Sequence, residues 1–239
     1  DLSINSNSIS FEDFYFSSAN KNLTFDIINN GSLSLKGSAN TSLSNNLNQI
    51  NIKNSNTSSA TPKTSNIILS GDFSALNFNI GSTDTFNTYD LSLSGDTTFL
   101  NNGSFNLNQT DLSGSYLLSL NAIDSSSSVA SFYRAIDLSG LTINDYKEVY
   151  FSNNIDVAET GLLINSENIF LTGDTVISST DKGSINLNGL ISSNNSSNLK
   201  VETTNGDITL GAISGFYNVD IVKEINEGTT KLNGNITAS

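Results

Sequence analysis

The chain has 239 residues, 37 of them Asn and 41 Ser, and sets 23 acidic against 10 basic side chains for a formal charge of −13. With no Cys, His, Met or Trp, and with Arg134 as its one arginine, it has no means for thiol, imidazole or triad catalysis and none for a disulfide framework. The acidic balance repels phosphate backbones and excludes nucleic acid as a partner, while so large a share of turn-favouring Asn and Ser argues against a helical bundle.

A chain that opens at Asp1 and contains no Met reads as a processed or excised piece. Its longest apolar runs, such as Ile67-Ile68-Leu69 and Tyr116-Leu117-Leu118, are far too short to span a bilayer, so no direct membrane insertion by this segment is expected. Near the start, Phe11, Phe14, Tyr15 and Phe16 cluster within residues 1–30, which are predicted to form a capping region over one end of an apolar interior. The stretch from Asn40 to Thr64 is polar, holds Pro62 and is predicted to be a long loop or irregular coil.

From Leu35 onward a short motif of Leu, a small or polar residue and Gly recurs, at Leu69-Ser70-Gly71, Leu93-Ser94-Gly95, Leu112-Ser113-Gly114, Leu138-Ser139-Gly140, Leu171-Thr172-Gly173, Leu187-Asn188-Gly189 and Leu232-Asn233-Gly234. With Leu210-Gly211 as a shortened copy, the leucines are spaced by 16 to 34 residues with a mean of about 25. Apolar residues alternate within the units, as in Ile185 and Leu187 or Ile208 and Leu210, which is the period of a strand. Strands of about four to six residues cannot close a core alone, but stacked in parallel one coil on the next they bury a continuous interior. The prediction is an all-β parallel β-helix of roughly ten irregular coils, with 1–239 as a single solenoid domain; a β-sandwich is the competing fold. Residues 124–147 break the repeat at Ser125–Ser128 and are predicted to project as a loop or short helical turn.

Carboxylates are the acid–base groups left. Asp72, Asp96 and Asp174 each follow a repeat Gly and would form a column if the coils were in register, able to hold Ca²⁺ or to supply general acid and base groups. The simpler reading is that each stabilises its own turn. Calcium nonapeptides of the Gly-Gly-x-Gly-x-Asp type are absent, no metal or other cofactor is expected, and no catalytic residue is assigned. Stacked Asn side chains are expected to form hydrogen-bonded ladders along a coil edge. For recognition, the central irregularity offers Phe132, Tyr133, Arg134 and Tyr146 as candidate binding residues.

In the last third, Glu167-Asn168-Ile169-Phe170-Leu171-Thr172-Gly173-Asp174-Thr175, Gly183-Ser184-Ile185-Asn186-Leu187-Asn188-Gly189, Gly206-Asp207-Ile208-Thr209-Leu210-Gly211 and Thr229-Thr230-Lys231-Leu232-Asn233-Gly234-Asn235-Ile236-Thr237 resemble the repeats of filamentous-haemagglutinin-like adhesins and autotransporter passengers. Phe99-Leu100-Asn101-Asn102 and Phe151-Ser152-Asn153-Asn154 also resemble the Phe-x-x-Asn repeats of polymorphic outer-membrane passengers. The resemblance implies a right-handed β-helix exported across the outer membrane of a Gram-negative bacterium. The expected role is a non-catalytic, extracellular stalk or binding module for a host or neighbouring-cell glycan or protein. Two alternatives stand beside it: a self-associating subunit of an extracellular fibre, sheath or surface layer, and a polysaccharide-processing β-helix enzyme.

Overall fold

Alternating side chains give each strand one apolar face, and the chain buries that face by winding strands into coils that pair with their successors. The computed structural model describes residues 1–14, 20–37, 47–55, 63–81, 87–101, 103–193, 196–225 and 227–238. Among them there is no helix; all strand pairs are parallel and stack as a β-solenoid of about 9 turns. Parallel pairing of sequence-distant strands excludes the antiparallel sandwich. At about 4.8 Å per turn the stack runs for roughly 45 Å.

Three faces make each turn. On the first, Leu23, Ile50, Phe78, Phe105, Ala130, Val149, Ile169, Ile191 and Ile213 lie in register from turn to turn. The second stacks Leu33, Ile67, Leu91, Leu112, Ile136, Ile155, Ile177 and Val201. Phe73, Phe99, Leu120, Ile143, Ile164, Leu187 and Leu210 form the third. All are buried, so the interior is one unbroken apolar column. In its first half the column is aromatic: Phe73 stacks on Phe99 at 5.0 Å, Phe78 on Phe105 at 5.2 Å and Phe132 on Phe151 at 5.1 Å between ring centroids.

The strands are longer than predicted. Ile155–Leu171 is a single 17-residue strand that supplies all three faces of one turn, bending at register shifts between Val157 and Gly161 and between Asn165 and Ser166. Bulges of this kind turn a strand without ending it. The Leu-x-Gly motif therefore marks corners rather than turns: Gly37, Gly71 and Gly140 follow the second face, Gly173 follows the first, and Gly189 and Gly211 follow the third. That accounts for the scatter in its spacing.

Two corners are held by contacts between turns. At the corner from third to first face, the amide of Asn144 donates to Asn121 at 3.0 Å, Asn165 to Asn144 at 2.9 Å and Asn188 to Asn165 at 2.7 Å. A second amide ladder, Asn106 to Asn79 to Asn51, runs along the outside of the first face at 2.8 and 3.2 Å. The expected ladders are thus present, and they satisfy amides that are partly withdrawn from water. At the corner from second to third face, glycines stack instead: Gly140 pairs with Gly161, and Gly183 and Gly206 approach the backbone of the preceding turn so closely that no side chain fits.

Local expectations at residues 124–147 and in the stretch from Asn40 to Thr64 are corrected. Residues 124–147 do not project: Val129–Phe132 is a first-face strand between Ser104–Leu107 and the end of Ile136–Phe151, and Ile136–Ile143 supplies the other two faces. The serines at 125–128 form a tight turn, closed by Ser128 donating to the Asp124 carbonyl at 2.7 Å. Within the polar stretch from Asn40 to Thr64, Leu47–Lys53 is a first-face strand, while Pro62 lies outside the described residues. Leu2–Phe14 pairs in parallel with Asn22–Gly37 as a further rung, and Phe11 tilts against Phe25 at 6.0 Å. Tyr15 and Phe16 lie outside the described residues.

Candidate binding groove

The four residues singled out for recognition divide into two pairs. Phe132 is buried in the aromatic column between Phe105 and Phe151, and Tyr146 is 1 % exposed, its hydroxyl donating to the side-chain oxygen of Asn101. Neither can reach a ligand, because both belong to the inward alternation that continues straight through the segment expected to project. Tyr133 and Arg134 are on the surface, where the first face turns into the second. Tyr133 is 47 % exposed, and Arg134 reaches back to the preceding turn, donating from Nε to Asp111 at 2.9 Å and from Nη1 to Gln109 at 3.4 Å. A half-exposed ion pair of this kind adds little stability.

The carboxylate column does not form. Asp72 lies opposite Thr98 on a strand, Asp96 sits in a bulge, and Asp174 occupies a different corner of the coil. Four aspartates, two of these among them, share another use, each accepting a backbone N–H of the following turn: Asp1 from Asn22 at 2.9 Å, Asp26 from Ser55 at 2.9 Å, Asp96 from Leu117 at 3.0 Å and Asp174 from Asn198 at 2.7 Å. Asp207 accepts from both the amide and the hydroxyl of Thr229, and these bonds hold its carboxyl below the usual range. Negative charge placed this way staples one turn to the next. Among the described residues no three carboxylates are grouped to hold a metal ion.

The corner that carries Tyr133 and Arg134 continues along the stack as a groove of about 440 Å³. Its lining includes Asn154, Asp174, Asn198, Asn218, Lys200 and Asp220. The register explains the grouping: Asn198 pairs with Asn218 and Lys200 with Asp220, so polar residues from successive turns fall into two parallel rows. Asn154 accepts the N–H of Val176 at 2.9 Å, and Asp174 Oδ1 accepts both the backbone N–H and the amide of Asn198, at 2.7 and 3.1 Å. Lys200 is engaged by Glu202 at 2.5 Å, a contact that raises the basicity of its ammonium and neutralises its charge locally. Tyr217, at the bend before Asn218, is 73 % exposed. Nothing in the sequence gives Tyr217 a role, because the corner it shares with Asp174 and Asn198 exists only once the turns are in register.

Beside the groove, on the outside of the first face, Tyr150 stacks on Phe170 at 4.7 Å with planes 16° apart, and the Tyr150 hydroxyl donates to Glu148 at 2.7 Å. That bond to an anion, with partial burial and the neighbouring charge, pushes the Tyr150 phenol up to about 12. Burial pushes Tyr146 up as well. Comparison with protein-family models finds no match for the chain, and comparisons with curated proteins and with solved structures find none either.

The two raised phenols set an alkaline limit on stability. A folded-state value above the ordinary tyrosine value of about 10 means that the folded protein keeps protons the unfolded chain releases. Their contribution is therefore complete below about pH 10 and is lost as the pH climbs toward about 12 for Tyr150 and higher for Tyr146. A near-ultraviolet phenolate titration is expected to show late-titrating tyrosines, with loss of β-sheet circular dichroism over the same interval. In Tyr150→Phe the loss of structure should shift toward higher pH; an unchanged profile would show that Tyr150 carries no such linkage.

Proposed function

We propose that the chain is a non-catalytic adhesive stalk, a surface-exposed, extracellular segment of the kind found in filamentous-haemagglutinin-like adhesins and autotransporter passengers, wound in the right-handed sense of that class. The observation that carries this reading is the use made of the carboxylates. Asp26, Asp96, Asp174 and Asp207 are committed to backbone amides of the next turn rather than facing one another across a cleft, which suits a load-resisting rod better than a hydrolase. The unbroken core and the amide ladders give the stiffness that a projecting module needs, and the groove offers a polar, solvent-open surface for a partner on a host or neighbouring cell. Neutral pH leaves the surface strongly acidic, which keeps such rods apart in solution.

Beads coated with the chain are expected to adhere to cultured cells, and sedimentation over a concentration series with negative-stain imaging is expected to give monomeric rods. Concentration-dependent filaments or sheets would overturn the reading in favour of a self-assembling extracellular subunit. Beads that adhere to no cell surface would also overturn it.

A further inference from the structure

The corner groove presents a row of planar amide and carboxylate groups under a net negative field, and the ring of Tyr217, the residue before the lining residue Asn218, stands almost free in solvent beside it. Asn198 is fixed by its two bonds to Asp174 Oδ1, and among the described residues neither Oδ2 of that carboxylate nor the Asn218 amide has a hydrogen-bond partner. Amides offer donors and an acceptor side by side, and carboxylates offer paired acceptors, so such a row matches adjacent hydroxyls on a ring better than it matches a single charged group. Tyr217 presents an amphipathic ring, apolar on its faces and polar at its tip, of the sort that packs against the C–H face of a sugar. Lys200 is the one cation lining the groove beside Asp174 and Asp220, and its ammonium is already held by Glu202, so the groove repels anions. A volume of about 440 Å³ falls within the range of small-molecule sites.

We propose that this groove, with Asp174, Asn198 and Asn218 as its hydrogen-bonding row and Tyr217 beside it as a platform, binds an uncharged oligosaccharide. The inference rests on the adhesive reading above and narrows it: the partner surface is recognised through neutral sugar rings and not through sialic acid, sulfate or phosphate. Because the groove runs along the stack, successive sugar rings would lie across successive turns.

The test uses the whole chain and two probe sets, printed neutral hexose oligosaccharides and their sialylated or sulfated counterparts, with saturation-transfer NMR on a soluble neutral trisaccharide. Binding to the neutral set is expected, with transfer from tyrosine ring protons. Tyr217→Ala and Asn218→Ala are each expected to reduce it at least tenfold, and Tyr116→Ala, an exposed ring in the strand Thr110–Ala122, which contributes no residue to the groove lining, is expected to leave it unchanged. Unchanged circular dichroism in Tyr217→Ala separates loss of binding from loss of fold. Preference for the anionic set, or full binding by Tyr217→Ala, would overturn the proposal. So would adhesion of coated beads to cells that persists in both groove variants without any neutral-glycan binding, an outcome that leaves the adhesive reading standing.

Discussion

Gly206→Ala is expected to destabilise the solenoid by about 3 kcal/mol, whereas Gly173→Ala should be neutral or stabilising by about 0.5 kcal/mol. The two glycines look alike in the sequence, each followed by Asp and a β-branched residue. In the fold they differ completely. A Cβ on Gly206 would lie 2.0 Å from the carbonyl oxygen of Gly183 and 2.6 Å from its carbon, both backbone atoms of the turn below. No rotamer change relieves such a contact; only separation of the turns does, and that breaks the parallel ladder on which the stack depends. At Gly173 nothing lies within 4 Å of the added methyl, and the gain there comes from restricting the unfolded chain. Gly183 is as crowded as Gly206, with the Ala158 carbonyl oxygen at 2.0 Å and Ser179 Oγ at 2.3 Å. Urea denaturation followed by circular dichroism should therefore give a much lower midpoint for Gly206→Ala than for Gly173→Ala. Equal midpoints would refute the claim that this corner is set by direct backbone contact between turns.

That contrast also shows what could be read before the fold was known. The spacing of Gly183, Gly206 and Gly228, with alternating apolar residues after the first two, is enough to infer stacked parallel coils, and the structure places Gly183 and Gly206 in one column. Asn ladders were legible for the same reason, since Asn144, Asn165 and Asn188 follow an inward Ile or Leu at nearly constant intervals. What failed was the assumption that a recurring motif marks a recurring position. Leu69-Ser70-Gly71 ends the second face and Leu171-Thr172-Gly173 ends the first, so Asp174 does not align with Asp72. The groove was invisible for a related reason: Asn154, Asp174, Asn198 and Asn218 belong to four separate stretches, and only the pairing of Asn198 with Asn218 and of their neighbours gathers them. In a chain so rich in Asn, no local signal separates these amides from those that build ladders.

The segment from Phe132 to Tyr146 misled for a different reason, and it leads to the second large expected effect. Phe132→Ala is expected to cost about 3–5 kcal/mol, while Tyr133→Ala, one residue along, should change stability by no more than about 0.5 kcal/mol. Polar interruption at Ser125–Ser128 suggests that the chain leaves the repeat, yet only the six residues 123–128 separate one strand from the next. Strand alternation then resumes, pointing Ala130 and Phe132 inward and Tyr133 outward. Phe132 is 2 % exposed and lies between the rings of Phe105 and Phe151, at 5.8 and 5.1 Å, so truncating it opens a cavity in the middle of the column and removes two ring contacts. Neighbouring turns cannot collapse into that space without shifting the ladders on either side. Tyr133 has no such neighbours to lose, being close to half exposed. Paired thermal melts of the two variants against the parent chain measure the difference directly. Indistinguishable melts would mean that Phe132 is not part of the core, and would return it to the surface role that its aromatic neighbours in the sequence first suggested.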